Sequence, residues 1–162
     1  KLLIKAGANV KKYGSTALIG AIINKKIEIV KLLLENGADV NGGADSGYIG
    51  APGPIITRCF ETTFDTIMFN IIKLLIAKGA NVNATSACSK TLLMQSIKIR
   101  NVELIKFLIN KGADINKTDA WDATALDYII SSDDSTKKAE IIQIFKSAGA
   151  RRGSGRPCIV IR

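Results

Sequence analysis

The sequence contains no histidine. That absence removes Ser-His-Asp and Cys-His catalysis, histidine general bases and most catalytic zinc sites. Carboxylate, lysine or magnesium chemistry stays open. Cysteine is scarce: Cys59, Cys88 and Cys158 are odd in number and form no C-x-x-C pair. Such usage argues against a disulfide framework and a structural zinc site, and favours a reducing, cytoplasmic compartment. Prolines number three and aromatic residues make up only 6% of the 162-residue chain. No stretch approaches the roughly 18 consecutive apolar residues of a membrane span. The opening KLLIKAGANV is too short and too charged for a signal peptide. It reads as the end of a helix, so the chain is expected to start inside a repeating unit. No G-x-x-x-x-G-K-[ST] loop is present, and the glycines around Gly50 and Gly53 do not amount to a nucleotide cradle.

What is abundant is apolar and basic. Apolar residues reach 47%, enough to bury a core and to exclude disorder. The net charge of +9 biases partners toward acidic surfaces, nucleic acid or anionic membrane, or simply keeps the surface soluble. The Ile-, Lys- and Asn-rich composition fits a bacterial or large-virus source and a protein acting inside a host cell.

One phrase recurs. Gly-Ala closes an apolar stretch at Gly7, Gly37, Gly79, Gly112 and Gly149, followed in the first four of these cases by Asn or Asp. A second anchor, Thr-x-Leu, appears at Thr16, Thr91 and Thr124. From Thr16 to Gly37 and from Thr91 to Gly112 the distance is 21 residues, and from Gly79 to Thr91 and Gly112 to Thr124 it is 12. The irregular steps are therefore insertions and deletions around a fixed unit. In VELIKFLINKG, Val102, Leu104, Ile105, Leu108 and Ile109 recur at helical spacing, leaving Glu103, Lys106 and Lys111 for water. Gly112 stands where that helix should stop, since glycine enters the left-handed conformation without steric cost. One such unit cannot bury its apolar face alone, so units must stack.

The segments IVKLLLENGADVN, IIKLLIAKGANVN and LIKFLINKGADIN, with the Thr-x-Leu triplets, resemble the ankyrin repeat, and the resemblance runs to about Ala150. It implies an all-α solenoid of helix-turn-helix units with β-hairpin fingers: about four repeats plus a partial N-terminal one. Residues 1–150 are expected to form the repeat domain, in units of roughly 1–8, 9–38, 39–80, 81–113 and 114–150, followed by a basic tail at 151–162. The first half of each unit departs from the family pattern. Its Pro is replaced by Ala17, Leu92 and Ala125, and its His by Ile19, Met94 and Asp127. The histidine ties between repeats are absent, so apolar packing is expected to replace them. The unit between Gly37 and Gly79 carries extra residues in its finger and between its helices, near Glu61 to Thr66.

The resemblance also implies a non-enzymatic protein-protein interaction module, with no cofactor or metal. It would grip an unidentified protein partner, for which the net positive charge favours an acidic surface, through finger tips and the inner face of the first helices. Mapped onto this chain, that surface comprises Lys11, Lys12 and Tyr13 on the first finger, Asp45, Tyr48 and Ile49 on the enlarged one, then Cys88 and Lys90, then Ala120, Trp121 and Ala123, with Lys98 and Ile99 on a first helix. Trp121 is the sharpest candidate, because tryptophan offers a large rigid apolar face and is enriched at binding hot spots; the plainer alternative is that it packs on the neighbouring finger. Asp119 and Asp122 are read as turn formers and not as catalytic carboxylates. An alternative basic surface, for nucleic acid or an anionic face, would use Lys31, Lys73 and Lys106, one per second helix, with Arg151 and Arg152 of the tail. A solvated stripe is the stronger reading of those lysines. The tail itself is open between a flexible basic arm, a short strand and a cloning remnant.

Overall fold

A computed structural model describes residues 7–43, 53–133 and 135–157. They hold seven α-helices and, among the described residues, isolated β-bridges in place of a sheet. The helices are α1 (Val10–Ile23), α2 (Ile27–Glu35), α3 (Thr66–Ala77), α4 (Leu92–Ile99), α5 (Val102–Asn110), α6 (Ala125–Ile130) and α7 (Lys138–Ser147), with short 3-10 helices at Ile55–Phe60 and Ala87–Ser89. The chain divides into two compact units, Lys1–Ala84 and Thr85–Arg162.

The Gly-Ala phrase is a helix stop built from local hydrogen bonds. All five glycines have positive φ, from 78° at Gly149 to 91° at Gly79. The amide of the following alanine donates back across the turn to the helix: Ala38 to Leu33, Ala80 to Leu75, Ala113 to Leu108 and Ala150 to Phe145, at 2.9–3.0 Å. These bonds satisfy carbonyls that a helix end would otherwise leave without a partner. The next residue, Asp39, Asn81 or Asp114, accepts a hydrogen bond from the amide two positions on and fixes the turn. The Asn that supplies this amide then reaches into the following repeat. Asn41 donates to the Gly79 carbonyl and accepts from the Asn81 amide, and Asn116 does the same with Gly149 and Arg151.

Helix starts are as local. Asn9, Asp65, Thr91 and Asn101 each accept a hydrogen bond from the amide three residues on, which stabilises a helix by about 1 kcal/mol. Between starts and stops the apolar positions turn inward. In the first unit Leu18, Ile22, Val30, Ile55, Met68, Ile72 and Leu75 are fully buried, where α1 packs on α2 and on the Ile55–Phe60 turn, and α3 packs on α2 and that turn. In the second unit Leu92, Leu104, Leu108, Ile129, Ile141 and Phe145 are fully buried between α4 and α5, α4 and α6, and α6 and α7.

Two expectations need correction. Lys11, Lys12 and Tyr13 do not sit on a finger: they form the first turns of α1, which starts at Val10 directly behind the Asn9 cap. In the enlarged unit the first helix shrinks to the six-residue 3-10 turn Ile55–Phe60, entered through a bridge between Gly43 and Pro54. Its Arg58 is almost wholly buried and bonds Glu61 at 2.6 Å. The tips expected to reach out from this unit, Asp45, Tyr48 and Ile49, lie outside the described residues.

Candidate functional site

The second unit presents two fingers whose construction is visible atom by atom. Each is closed by a pair of residues facing across a tight loop: the Ser86 amide donates to the Lys90 carbonyl at 2.9 Å, and the Asp119 amide to the Ala123 carbonyl at 3.0 Å. The turns need a left-handed residue just before the closing one. Ser89 supplies it in the first finger, with φ 57°, and Asp122 in the second, with φ 56°. Asp tolerates this region because its short polar side chain can bond locally. The fingers are tied to each other by the Ala120 amide, which donates to the Cys88 carbonyl at 3.1 Å.

Asp119 organises the tip. One carboxylate oxygen accepts from the Trp121 and Ala123 amides at 2.9 and 3.0 Å, and the other accepts from the Tyr128 hydroxyl at 2.6 Å. The Tyr128 ring in turn carries the Lys90 ammonium 5.3 Å from its centroid. Asp119 is thus buried with its oxygens engaged, and a turn-forming role accounts for it. Trp121, held by its own amide on this carboxylate, remains 41% exposed. Of the other residues expected on this face, Cys88, Ala120 and Lys98 on α4 are exposed, and Lys90 and Ile99 are half-buried. Ala123 is fully buried and cannot touch a partner. It is the closing residue of the finger, and its small side chain faces the core.

At the positions where histidines were expected, the ties differ from repeat to repeat. Ile19 and Met94 are buried apolar side chains, as the packing expectation has it. Asp127 is fully buried too, yet it is charged and bonded. Its carboxylate accepts from the Thr124 amide at 2.9 Å, the Gly153 amide at 2.7 Å and the Arg152 guanidinium at 2.8 Å, with the Thr124 hydroxyl 2.8 Å away. Burial pushes this carboxyl's pKa up. The guanidinium and the other donors outweigh that effect and leave it below the ordinary carboxylate range. Sequence reasoning missed this centre because its partners come from a tail with no repeat signature. The one available signal was a lone Asp at an otherwise apolar core position.

The basic surface is partly occupied by intramolecular contacts. Arg152 is ion-paired with Asp127. The Lys73 ammonium lies 4.0 Å from the Phe69 ring centroid, and Lys106 stands 3.9 Å from Glu140 with both side chains more than half exposed. That last pair is worth little in water. Lys31 and Arg151 are exposed. Among the described residues no cluster of three or more Asp, Glu or Cys could hold a metal ion, and no helix is long and apolar enough to cross a membrane.

A family model described as ankyrin repeats in three copies matches residues 1–43 and 64–151. The chain belongs to the ankyrin repeat family. The stretch this match leaves out, 44–63, contains the residues expected to form the enlarged finger and the 3-10 turn that replaces a first helix. No curated protein matches this ankyrin chain. Ankyrin repeats generally act in protein-protein interaction, and the family is typically non-enzymatic.

Proposed function

We propose that this ankyrin protein is a non-enzymatic binding module and that its second unit takes a protein partner through the finger face around Trp121. The observation that carries the reading is Trp121 itself. It is a large apolar side chain left 41% exposed on a finger whose backbone is fixed by Asp119 and by the neighbouring finger. A rigid, exposed aromatic group loses little conformational freedom on binding, and such groups dominate interface energetics. Cys88, Ala120, Lys98 and Ile99 would line the same face, with Lys90 held at its edge by Tyr128. The lysines favour a partner with an acidic surface. Exposed Lys11, Lys12 and Tyr13 on α1 form a secondary candidate face in the first unit. Burial of Cys59 and the absence of any disulfide among the described residues are compatible with a reducing, cytoplasmic setting.

The test is affinity capture from a lysate of the source cell, or of its host, with the wild type beside Trp121→Ala, each at low and high salt. A protein retained at high salt by the wild type and lost with Trp121→Ala supports the finger face. Nucleic acid that elutes with salt and ignores Trp121→Ala would move the site to the basic residues Lys31, Lys73, Lys106 and Arg151.

A further inference from the structure

The segment after the last Gly-Ala begins as another repeat would. Asn116 holds the Gly149 carbonyl and the Arg151 amide as Asn41 holds Gly79 and Asn81. It then departs from the repeat. Four residues beyond the glycine, where Asn41, Asn83 and Asn116 stand, the tail has Gly153, and two residues later Gly155. Both are required by contact. A Cβ on Gly153 would lie 1.8 Å from the Asp122 carbonyl oxygen, and one on Gly155 would lie 1.4 Å from that of Trp121. The Gly155 amide donates to the Asp122 carbonyl at 3.1 Å, and the Gly153 amide and Arg152 guanidinium converge on buried Asp127. The Arg151 carbonyl lies 2.9 Å from the Thr124 hydroxyl.

We propose that the last repeat carries a recognition site for an Arg-Gly-x-Gly peptide segment, and that this site is filled in cis by the chain's own Arg152–Gly155. Recognition has three parts. A buried carboxylate takes the guanidinium and the next amide in a charge-assisted pair. The finger backbone, pressed flat against the segment, excludes any side chain at two alternate positions. The Thr124 hydroxyl sits at the carbonyl of the residue before the arginine. Without the segment, the Asp127 carboxylate would lose its counter-charge and the Gly153 amide together. The site is therefore built to be occupied, and the tail is a displaceable ligand instead of a free cationic arm. Its arginine is engaged by Asp127 through Nε, with the rest of the side chain exposed. The inference stands independently of the Trp121 reading, since it uses the finger's backbone and not its indole.

The experiment uses the full chain. Hydrogen exchange followed by NMR should show the Gly153 and Gly155 amides protected, and Gly155→Val should abolish protection at both while α4 and α5 stay protected. A labelled peptide ARRGSGRP should then bind the Gly155→Val protein saturably and the wild type at least about tenfold more weakly, because the wild-type segment competes in cis at high effective concentration. Peptides with the arginine before the first glycine changed to glutamine, or that glycine changed to valine, should fail to bind. Because these last changes lie on the peptide, no failure to fold can obscure them. Unprotected Gly153 and Gly155 amides in the wild type, or binding indifferent to the peptide's arginine and glycine, would overturn the proposal.

Discussion

Thr16-Ala17-Leu18 in the first unit and Thr124-Ala125-Leu126 in the second are the same three residues, and they occupy different structures. Thr124 stands outside α6 as its cap, in extended backbone, at the end of a finger. Thr16 lies in the body of α1, exposed and capping nothing. The leucines nevertheless end alike: Leu18 and Leu126 are both buried, as is Leu93 of the third triplet. The cause is chain length. Twelve residues separate Gly112 from Thr124, and nine separate Gly7 from Thr16. Nine do not suffice for a loop that turns, returns and still leaves an extended cap. The Asn after Gly7-Ala8 shows the switch. Asn81, in the long connection, accepts from the amide two residues on and makes a turn, whereas Asn9 accepts from Lys12, three residues on, and starts a helix at once. Identical local chemistry serves either outcome, and spacing selects between them.

The comparison can be broken or sharpened by substitution. The largest effect should come where the triplets agree. Leu18→Ala and Leu93→Ala should each lower stability by about 2–5 kcal/mol, read from urea unfolding midpoints, because both leave a cavity in a closed core. A tolerant Leu18 would mean that α1 is not packed as described. Next comes Asp127, which has no counterpart in the first unit. Asp127→Asn should cost about 1.5–3 kcal/mol, the scale of hydrogen bonds to a charged group. Its pH dependence has a definite sign. The folded-state pKa lies below the unfolded one, so the stabilisation is fully present above the ordinary carboxylate value of about 3.9 and is lost as pH falls through the depressed folded value. Wild type and Asp127→Asn should converge in stability on acidification, and parallel curves would refute the pairing with Arg152.

The caps give a smaller contrast. Thr91→Ala should cost about 1 kcal/mol, while Thr16→Ala should stay within about 0.5 kcal/mol. Equal losses would show that Thr16 caps a helix after all. The smallest effect is chemical and touches no stability. Burial drives the Cys59 thiol far above its ordinary range, and Cys88 is exposed on its finger. A thiol reagent under native conditions, with modified peptides mapped by mass spectrometry, should therefore label Cys88 and spare Cys59 until the first unit unfolds.

Much of this molecule was legible before any coordinates. The positive-φ glycines at the helix ends, the inward faces of α2, α3 and α5 and the turn role of Asp119 all follow from residues within about five positions of one another. A helix stop needs only a glycine and the carbonyls of the preceding turn, so local order is enough to announce it. The finger that is not there at Lys11–Tyr13, the burial of Ala123 and the shortened helix at Ile55–Phe60 were less accessible, because they depend on whether a connection has length enough to fold back on its neighbour. Least accessible was Asp127. A carboxylate with no exposure stays ionised only if donors surround it, and here the guanidinium and one amide arrive from Arg152 and Gly153, some 25 residues further along the chain. The sequence by itself determined where helices start, stop and turn their apolar faces. Only the tertiary structure decided which polar groups meet in the interior, since the energy of a buried charge depends on partners that proximity along the chain does not reveal.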